Sequence, residues 1–203
     1  MNKYTKILLI VGVVVISYFL FKKNNSIPKN IPDSLTKSFV NTKENFSFYY
    51  PKNLTISDQT ILDTNLWRNN NQTLGELLVS VSAPKSLQPN TNFSSAKFNV
   101  GMSPDAKAVQ NCLVAENGEV FVEEKTINNI IYKKSTLSDA GAGNFYETTS
   151  YRTIRNNKCY AVEYIIHYTN IGAYSPDQGI KEFDKDLIKN MMEEIAQSFK
   201  FID

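Results

Sequence analysis

Four strand-length segments follow one another in the second half of the chain, and they constrain the fold more than any other feature. The segments cover residues 119–127, 130–137, 144–154 and 158–168, and they are rich in β-branched and aromatic residues. Their connections are short: Asn128-Asn129 is a pair that tolerates positive φ, and the last two segments turn at 155–158. The sequence therefore predicts antiparallel hairpins in this part of the chain.

The remaining elements place the chain in the α+β class. Further strands are predicted over 46–51, 54–56, 76–83 and 93–100. Ser103-Pro104-Asp105 is typical of a helix start, with Ser103 as the cap, and this helix is expected to run to about Leu113. Apolar residues at a spacing of four predict a long C-terminal amphipathic helix, with Phe183, Leu187, Met191 and Ile195 on its stripe and Ile188, Met192 and Phe199 beside them. This order indicates an antiparallel sheet covered by helices.

The chain begins with an apolar or weakly polar run from Ile7 to Phe21, with lysines on both sides. Such a run is either a cleaved signal peptide or a membrane anchor. No alanine precedes Ala83, so the small-residue cleavage site of a signal peptide is missing. We therefore expect residues 1–22 to be an N-terminal transmembrane helix. The run of 15 residues is shorter than the usual span of about 20, and flanking lysines can extend it by snorkelling.

The segment 23–43 is rich in Lys, Asn, Ser and Pro without apolar periodicity, so it is predicted to be a flexible tether. One globular domain is expected over 44–203. Five of the 22 basic residues precede Asp33, where no acid occurs, and the remainder carries 17 basic against 20 acidic side chains. The positive charge therefore belongs to the N-terminal segment, and nucleic-acid binding is not expected.

Cys112 and Cys159 are the two cysteines of the chain. In a cytosolic protein they would be free core thiols, whereas outside the membrane they would more often be paired, because that compartment is oxidising. We expect a disulfide between them. We also expect a single-pass protein of the cell membrane whose globular domain lies outside the cytoplasm.

Short stretches at both ends of the domain resemble PsbP-like proteins: FSFYYP at 46–51, and the closing amphipathic helix that leads into SFKF at 198–201. The stretches AGAGNFYETTSYR and IHYTNIGAY also resemble a group of small, membrane-anchored, PsbP-related bacterial proteins of unassigned function. The resemblance implies a PsbP-like α/β/α fold, shared with Mog1, in which helices sandwich an antiparallel sheet. It also implies an accessory role without catalysis. Nothing in the sequence points to photosynthesis, so the partner and metal ions of plant PsbP are not carried over.

Catalytic residues are scarce, so we expect no enzyme, metal or cofactor. His167 is the only histidine, which excludes multi-histidine metal sites. His167 shares a strand face with Glu163. The two residues are four positions apart, so on an ideal strand their side chains are too far apart for a direct hydrogen bond. Ser103 is not in a G-x-S-x-G elbow, and a disulfide leaves no thiol nucleophile. The Gly-x-Gly of 141–143 leads into a strand and not into a helix, which favours a tight turn over a phosphate loop. A small anion-binding nest formed by these residues is an alternative interpretation.

Six tyrosines between residues 139 and 174 are the best candidates for function, because tyrosine offers a broad contact area with a polar tip. Tyr160, Tyr164 and Tyr168 share a strand face with Val162 and Ile166, so we expect them to pack under a helix. The other tyrosines and nearby polar residues are predicted to form a binding rim for a glycan strand or a protein partner: Tyr146, Tyr151, Tyr174, Asn144, Arg152, Asn170 and Asp177.

The sequence thus favours a membrane-anchored accessory domain that binds a protein or a cell-envelope component without catalysis. The alternative is an envelope-polymer hydrolase whose carboxylates only the fold brings together, about 5 to 9.5 Å apart across a cleft. The acidic pairs Glu123-Glu124 and Glu193-Glu194 are expected to be mostly solvated. A pilin-like surface subunit is a weaker alternative, because the N-terminal apolar run lacks a glutamate.

Overall fold

The computed structural model describes residues 36–57, 68–69, 72–73, 75–115 and 118–202. Its centre is a seven-stranded antiparallel sheet with the order β3-β6-β7-β11-β10-β9-β8. The strands in chain order are β1 (Thr36–Asn41), β2 (Phe46–Pro51), β3 (Thr55–Ser57), β4 (Arg68–Asn69), β5 (Gln72–Thr73), β6 (Glu76–Ala83), β7 (Phe93–Ser103), β8 (Val120–Ile127), β9 (Ile130–Gly141), β10 (Asn144–Arg155), β11 (Lys158–Thr169) and β12 (Lys200–Phe201).

A smaller sheet has the order β1-β2-β12, and β4 pairs with β5. Strand β1 lies within the segment that we expected to be a tether. It belongs to the fold because it pairs along the whole of β2 and because Phe39 stacks on Phe48, with ring centroids 5.3 Å apart. The domain therefore begins at Thr36 or earlier, ahead of the predicted boundary at residue 44. Residues 1–35, which include the predicted anchor, lie outside the described part of the chain.

The predicted hairpins are confirmed. The chain turns through two residues at positive φ in each of them, at Asn128-Asn129 between β8 and β9 and at Asn156-Asn157 between β10 and β11. The Gly-x-Gly segment also forms such a tight turn, in which Ala142 (φ 50°) and Gly143 (φ 78°) connect β9 to β10. Asparagine and glycine tolerate this left-handed conformation, so these residues specify where the meander turns.

Two helices complete the described fold: α1 (Ala106–Asn111) and α2 (Lys185–Ser198). The N-cap of α1 is Asp105, whose carboxylate accepts hydrogen bonds from the amides of Lys107 and Ala108. The prediction of Ser103 as the cap is wrong, because Ser103 is still the last residue of β7. Neither helix of the described part is long and apolar enough to cross a membrane.

Helix α2 is amphipathic, as predicted, but its stripe is rotated. The buried residues are Ile188, Met192, Ile195 and Ala196, whereas Leu187, which the spacing of four placed on the stripe, is 58% exposed. A strict spacing of four drifts around a helix with 3.6 residues per turn, which is why positions three and four apart share the buried face.

The two helices pack on opposite faces of the large sheet. Alternate residues of β11, among them Val162 and Tyr164, join the main core with α2, while Cys159 and Ala161 form a second cluster with Ala108 and Cys112. We call these the α2 face and the α1 face. Cys112 and Cys159 form the predicted disulfide, which fastens the end of α1 to β11. The α+β class, with an antiparallel sheet between helices, is confirmed.

Candidate functional site

The β10–β11 hairpin brings Asn144, Tyr146 and His167 together at the end farthest from its turn. Its register places Tyr146 opposite His167 and Asn144 opposite Thr169. The rings of Tyr146 and His167 stack with centroids 4.4 Å apart and planes 9° from parallel. His167 Nε2 lies 2.8 Å from Asn144 Oδ1. We call Asn144, Tyr146 and His167 the hairpin-end cluster.

Two loops support this end of the hairpin. The backbone amide of Asn170 donates to the carbonyl of Gly143 at 2.8 Å, which ties the chain after β11 to the β9–β10 turn. The Asn170 side chain then accepts from the amide of Gly172 at 2.9 Å and caps a short 3-10 turn. Tyr174 directly follows that turn and is half-buried. The structure therefore places Asn144, Tyr146, Asn170 and Tyr174 at the same end of the hairpin.

The electrostatic surroundings of the cluster keep its histidine neutral. Burial lowers the pKa of His167, and the positive charge of Lys97 lowers it further. Lys97 lies on β7 opposite Ile165, so it is the diagonal neighbour of His167 on the adjacent strand. The cluster thus presents an aromatic ring, an amide and an uncharged imidazole.

Tyr151 and Arg152 lie elsewhere, which corrects their assignment to a binding rim. Tyr151 is fully buried in the main core, where its hydroxyl donates to the Glu193 carboxylate at 2.6 Å. Arg152 is 4% exposed on the other face, where it pairs with Glu119 and donates to the carbonyl of Val114. Tyr151 is five residues from Tyr146, so strand alternation puts the two side chains on opposite faces of the sheet.

The tyrosines of β11 face the α2 side, as predicted. Tyr160 and Tyr164 are buried, and Tyr168 packs against the main core. Their hydroxyls each reach a carboxylate, that of Glu44 for Tyr160 (2.7 Å), Glu193 for Tyr164 (3.0 Å) and Glu147 for Tyr168 (2.7 Å). These contacts are structural, because they satisfy hydroxyls that burial would otherwise leave without partners.

Glu193 is therefore engaged with the sheet, and the prediction that it is mostly solvated is wrong. Burial acts to raise the pKa of Glu193, but hydrogen bonds from Tyr151, Gln197 and Tyr164 and the charge of Lys134 outweigh it and lower the pKa. The sequence contains a signal that Glu193 lies near the sheet, since Glu193 directly follows Met192 and therefore stands at the border of the apolar stripe.

Two other carboxylates are held in the same way. Burial acts to raise the pKa of Glu44, but hydrogen bonds from Lys158 and Tyr160 lower it. The pKa of Glu147 is also lowered, since Lys185 and Tyr168 outweigh the effect of burial. All three carboxylates are ionised at neutral pH and bonded to neighbouring side chains.

A buried polar row crosses the α1 face, and sequence reasoning missed it. The register aligns one residue from each of five neighbouring strands, β6, β7, β11, β10 and β9, and all are buried: Ser80, Asn99, Glu163, Ser150 and Ser135. Alternation along one strand cannot reveal such a row, because it depends on pairing between distant segments. Within the described ranges, no group of three or more His, Cys, Asp or Glu residues is arranged to hold a metal ion.

No protein-family model and no curated protein matches the chain. Among solved structures, a protein from Bacteroides thetaiotaomicron matches with a TM-score of 0.44 and 13% identity, covering 82% of this chain and 48% of that one. The chain therefore spans about half the length of that protein.

Two further structures match over most of their own length. Cyanobacterial PsbP (CyanoP) from Synechocystis sp. PCC 6803 matches with a TM-score of 0.40 and 12% identity, covering 85% of this chain and 95% of that one. LpqN, involved in cell envelope biogenesis of Mycobacterium tuberculosis, matches with a TM-score of 0.38 and 8% identity, covering 83% and 91%. PsbP, the family that the sequence resembles, is thus among the structural matches.

Proposed function

We propose that the chain is a membrane-anchored accessory domain that lies outside the cytoplasm and binds a cell-envelope component or a protein without catalysis. The observation that carries this proposal is the hairpin-end cluster. Tyr146 is 38% exposed, yet its ring is stacked on His167. A ring that is already held in place loses little conformational freedom on binding, which is why such tyrosines suit contact surfaces.

Two features support the location. The N-terminal apolar run is flanked by lysines and lacks a small-residue cleavage site, as expected of a retained anchor. The Cys112–Cys159 disulfide suits an oxidising compartment, since thiols in the cytosol are kept reduced.

The surroundings of the acidic residues support a role without catalysis. Glu44, Glu147 and Glu193 are bonded to tyrosine hydroxyls, and Glu119 pairs with Arg152. A general acid in glycan hydrolysis needs a raised pKa, whereas the pKa values of the first three are lowered. These carboxylates therefore act in the fold.

Cosedimentation tests the proposal. The full-length chain, solubilised in detergent, is mixed with a lipid-extracted envelope fraction that retains polymers and the proteins attached to them. We expect the wild type to sediment with this fraction and Tyr146→Ala to bind about tenfold more weakly, a loss of about 1.4 kcal/mol. Tyr49→Ala is the matched control, because Tyr49 is 48% exposed but lies on β2 of the small sheet.

Equal binding by the wild type and Tyr146→Ala would contradict the assignment of the site. Absence of binding by the wild type would contradict the binding role itself. Release of soluble fragments from the envelope fraction by the wild type would contradict the absence of catalysis and support the hydrolase.

A further inference from the structure

The hydrogen bond between His167 and Asn144 fixes which imidazole nitrogen carries the proton. Asn144 Nδ2 donates to the carbonyl of Ala142 at 3.3 Å, which sets the orientation of the amide. The atom that faces His167 Nε2 at 2.8 Å is therefore Oδ1. A carbonyl oxygen only accepts hydrogen bonds, so Nε2 must be the donor.

The other ring nitrogen is then a hydrogen-bond acceptor. A neutral imidazole carries one proton, and both burial and Lys97 favour the neutral form of His167 by lowering its pKa. Nδ1 therefore has a lone pair in the plane of the ring. Within the described part of the chain no group is bonded to this nitrogen. A ligand at the cluster can therefore donate a hydroxyl or an N–H to this acceptor.

The residues that neighbour His167 in the sheet suit an uncharged ligand. Ser95 lies opposite His167 on β7, and Tyr146 lies opposite it on β10. Three charged groups lie farther out on the same face: Lys97 on β7, Glu163 on β11, and Asp139, which is opposite Tyr146 on β9. Because charges of both signs are present and none belongs to the hairpin-end cluster itself, we expect the ligand to be uncharged.

The topology disfavours an extended peptide at this place. A peptide that adds to a sheet uses the free backbone groups of an edge strand. Both strands of the cluster are internal, because β10 is paired with β9 and β11, and β11 is paired with β10 and β7. Recognition at the cluster must therefore use side chains: an aromatic ring for apolar C–H surface, and an imidazole lone pair for a hydroxyl.

We propose that the hairpin-end cluster binds a neutral saccharide, with a sugar hydroxyl donating to His167 Nδ1 and the sugar ring contacting Tyr146. Asn144 is a positioning residue, since it holds the imidazole as the Nε2–H tautomer. This inference rests on the proposed function of the cluster and names the ligand class that the same site takes.

Nuclear magnetic resonance tests the inference without ambiguity, because His167 is the only histidine. The full-length chain, labelled with 15N-histidine and held in detergent micelles, is titrated with the N-acetylglucosamine tetramer as the probe. We expect the free protein to show the Nε2–H tautomer and the tetramer to shift the Nδ1 signal. Binding should weaken at acidic pH, as protonation of Nδ1 removes the acceptor.

Two variants separate the roles. Tyr146→Ala is expected to weaken tetramer binding about tenfold, whereas Asn144→Ala is expected to yield a mixture of tautomers together with weaker binding. Tyr49→Ala again serves as the control. The spectrum of the backbone amides verifies that each variant folds, so a loss of binding is not mistaken for unfolding.

Two results would overturn the inference: a free protein with the Nδ1–H tautomer, or a His167 signal that the tetramer leaves unchanged. If cosedimentation with the envelope fraction still depends on Tyr146, the saccharide is refuted and the proposed function stands. If cosedimentation is also absent, both are refuted.

Discussion

At the scale of single residues, the structure separates the side chains of the hairpin-end cluster from those that are buried and hold the fold, although sequence reasoning had grouped them. Arg152 is the clearest case. It pairs with Glu119 while both side chains are less than a tenth exposed, at 5% and 7%. A buried ion of this kind becomes costly when its partner is removed.

Arg152→Ala is therefore expected to destabilise the domain by about 3–5 kcal/mol, because it leaves the Glu119 carboxylate buried without its guanidinium. Lys133→Ala is the control. Lys133 pairs with Glu124 at 2.9 Å where the two side chains are 35% and 56% exposed, so its loss should cost less than about 1 kcal/mol. Denaturant unfolding measures both, and equal costs would show that Arg152 is not a structural residue.

The acidic residues predict how stability depends on pH. The pKa values of Glu44, Glu147 and Glu193 are lowered below their ordinary 4.5 in the folded state. A lowered pKa means that the unfolded chain takes up the proton first, so this stability is present above about pH 4.5 and is lost as the pH falls. Unfolding free energies measured between pH 7 and 3 should decrease toward acid.

Glu193→Gln tests the main carboxylate. The variant should lose roughly 1.5–3 kcal/mol at neutral pH, the usual worth of hydrogen bonds to a charged group, and should depend less steeply on acid. Glu194→Gln is the matched control, because Glu194 is the next residue of α2 and is exposed. Parallel pH profiles for the wild type and Glu193→Gln would refute the role of the carboxylate.

At the scale of elements, most strands and turns could be predicted because their signals are local. Asn-Asn pairs and alternating apolar residues lie within each hairpin. The pairing in the hairpin-end cluster could also have been predicted from the sequence. A two-residue turn at Asn156-Asn157 sets the β10–β11 register, and this register puts Tyr146 opposite His167.

The elements that sequence reasoning missed either have a weak local signal or depend on contacts between distant segments. Strand β1 has a polar composition, so its own residues did not mark it as a strand, although it pairs with the next strand, β2, across a short turn. The polar row requires β7 to pair with β11, more than fifty residues later in the chain. The pairing of β7 with β11 is set by the whole core and not by any one segment, so the polar row was beyond local patterns.

Strand β8 lies at one edge of the large sheet, opposite the edge formed by β3, and exposes three consecutive apolar side chains. Val120, Phe121 and Val122 are 64%, 48% and 49% exposed. Edges of this kind associate unless charges block them. Val122→Lys should therefore reduce self-association in concentrated solution and change the unfolding free energy by no more than about 0.5 kcal/mol.

Light scattering over a range of protein concentrations measures this effect. Leu187→Lys is the control, because Leu187 is 58% exposed on a helix and not on a sheet edge. If both variants behave alike, general surface hydrophobicity and not the β8 edge drives association.

At the scale of the whole molecule, the disulfide joins α1 to the middle of the sheet across 47 residues. Closing a loop of this length restricts the unfolded chain and stabilises the fold by roughly 4 kcal/mol in the chain-entropy account. The double variant Cys112→Ala, Cys159→Ala should lower the unfolding free energy by roughly 4 kcal/mol. Reduction of the wild type should have the same effect, and a reductant should leave the double variant unchanged.

The central claim is that the folded domain lies outside the cytoplasm, where an envelope ligand can reach the hairpin-end cluster. The most direct test places a reporter thiol at Lys52, which is exposed in the turn between β2 and β3. Intact cells that carry Lys52→Cys in the full chain are treated with a membrane-impermeant maleimide. We predict labelling of intact cells to the same extent as after lysis; labelling only after lysis would place the domain in the cytoplasm and contradict the account.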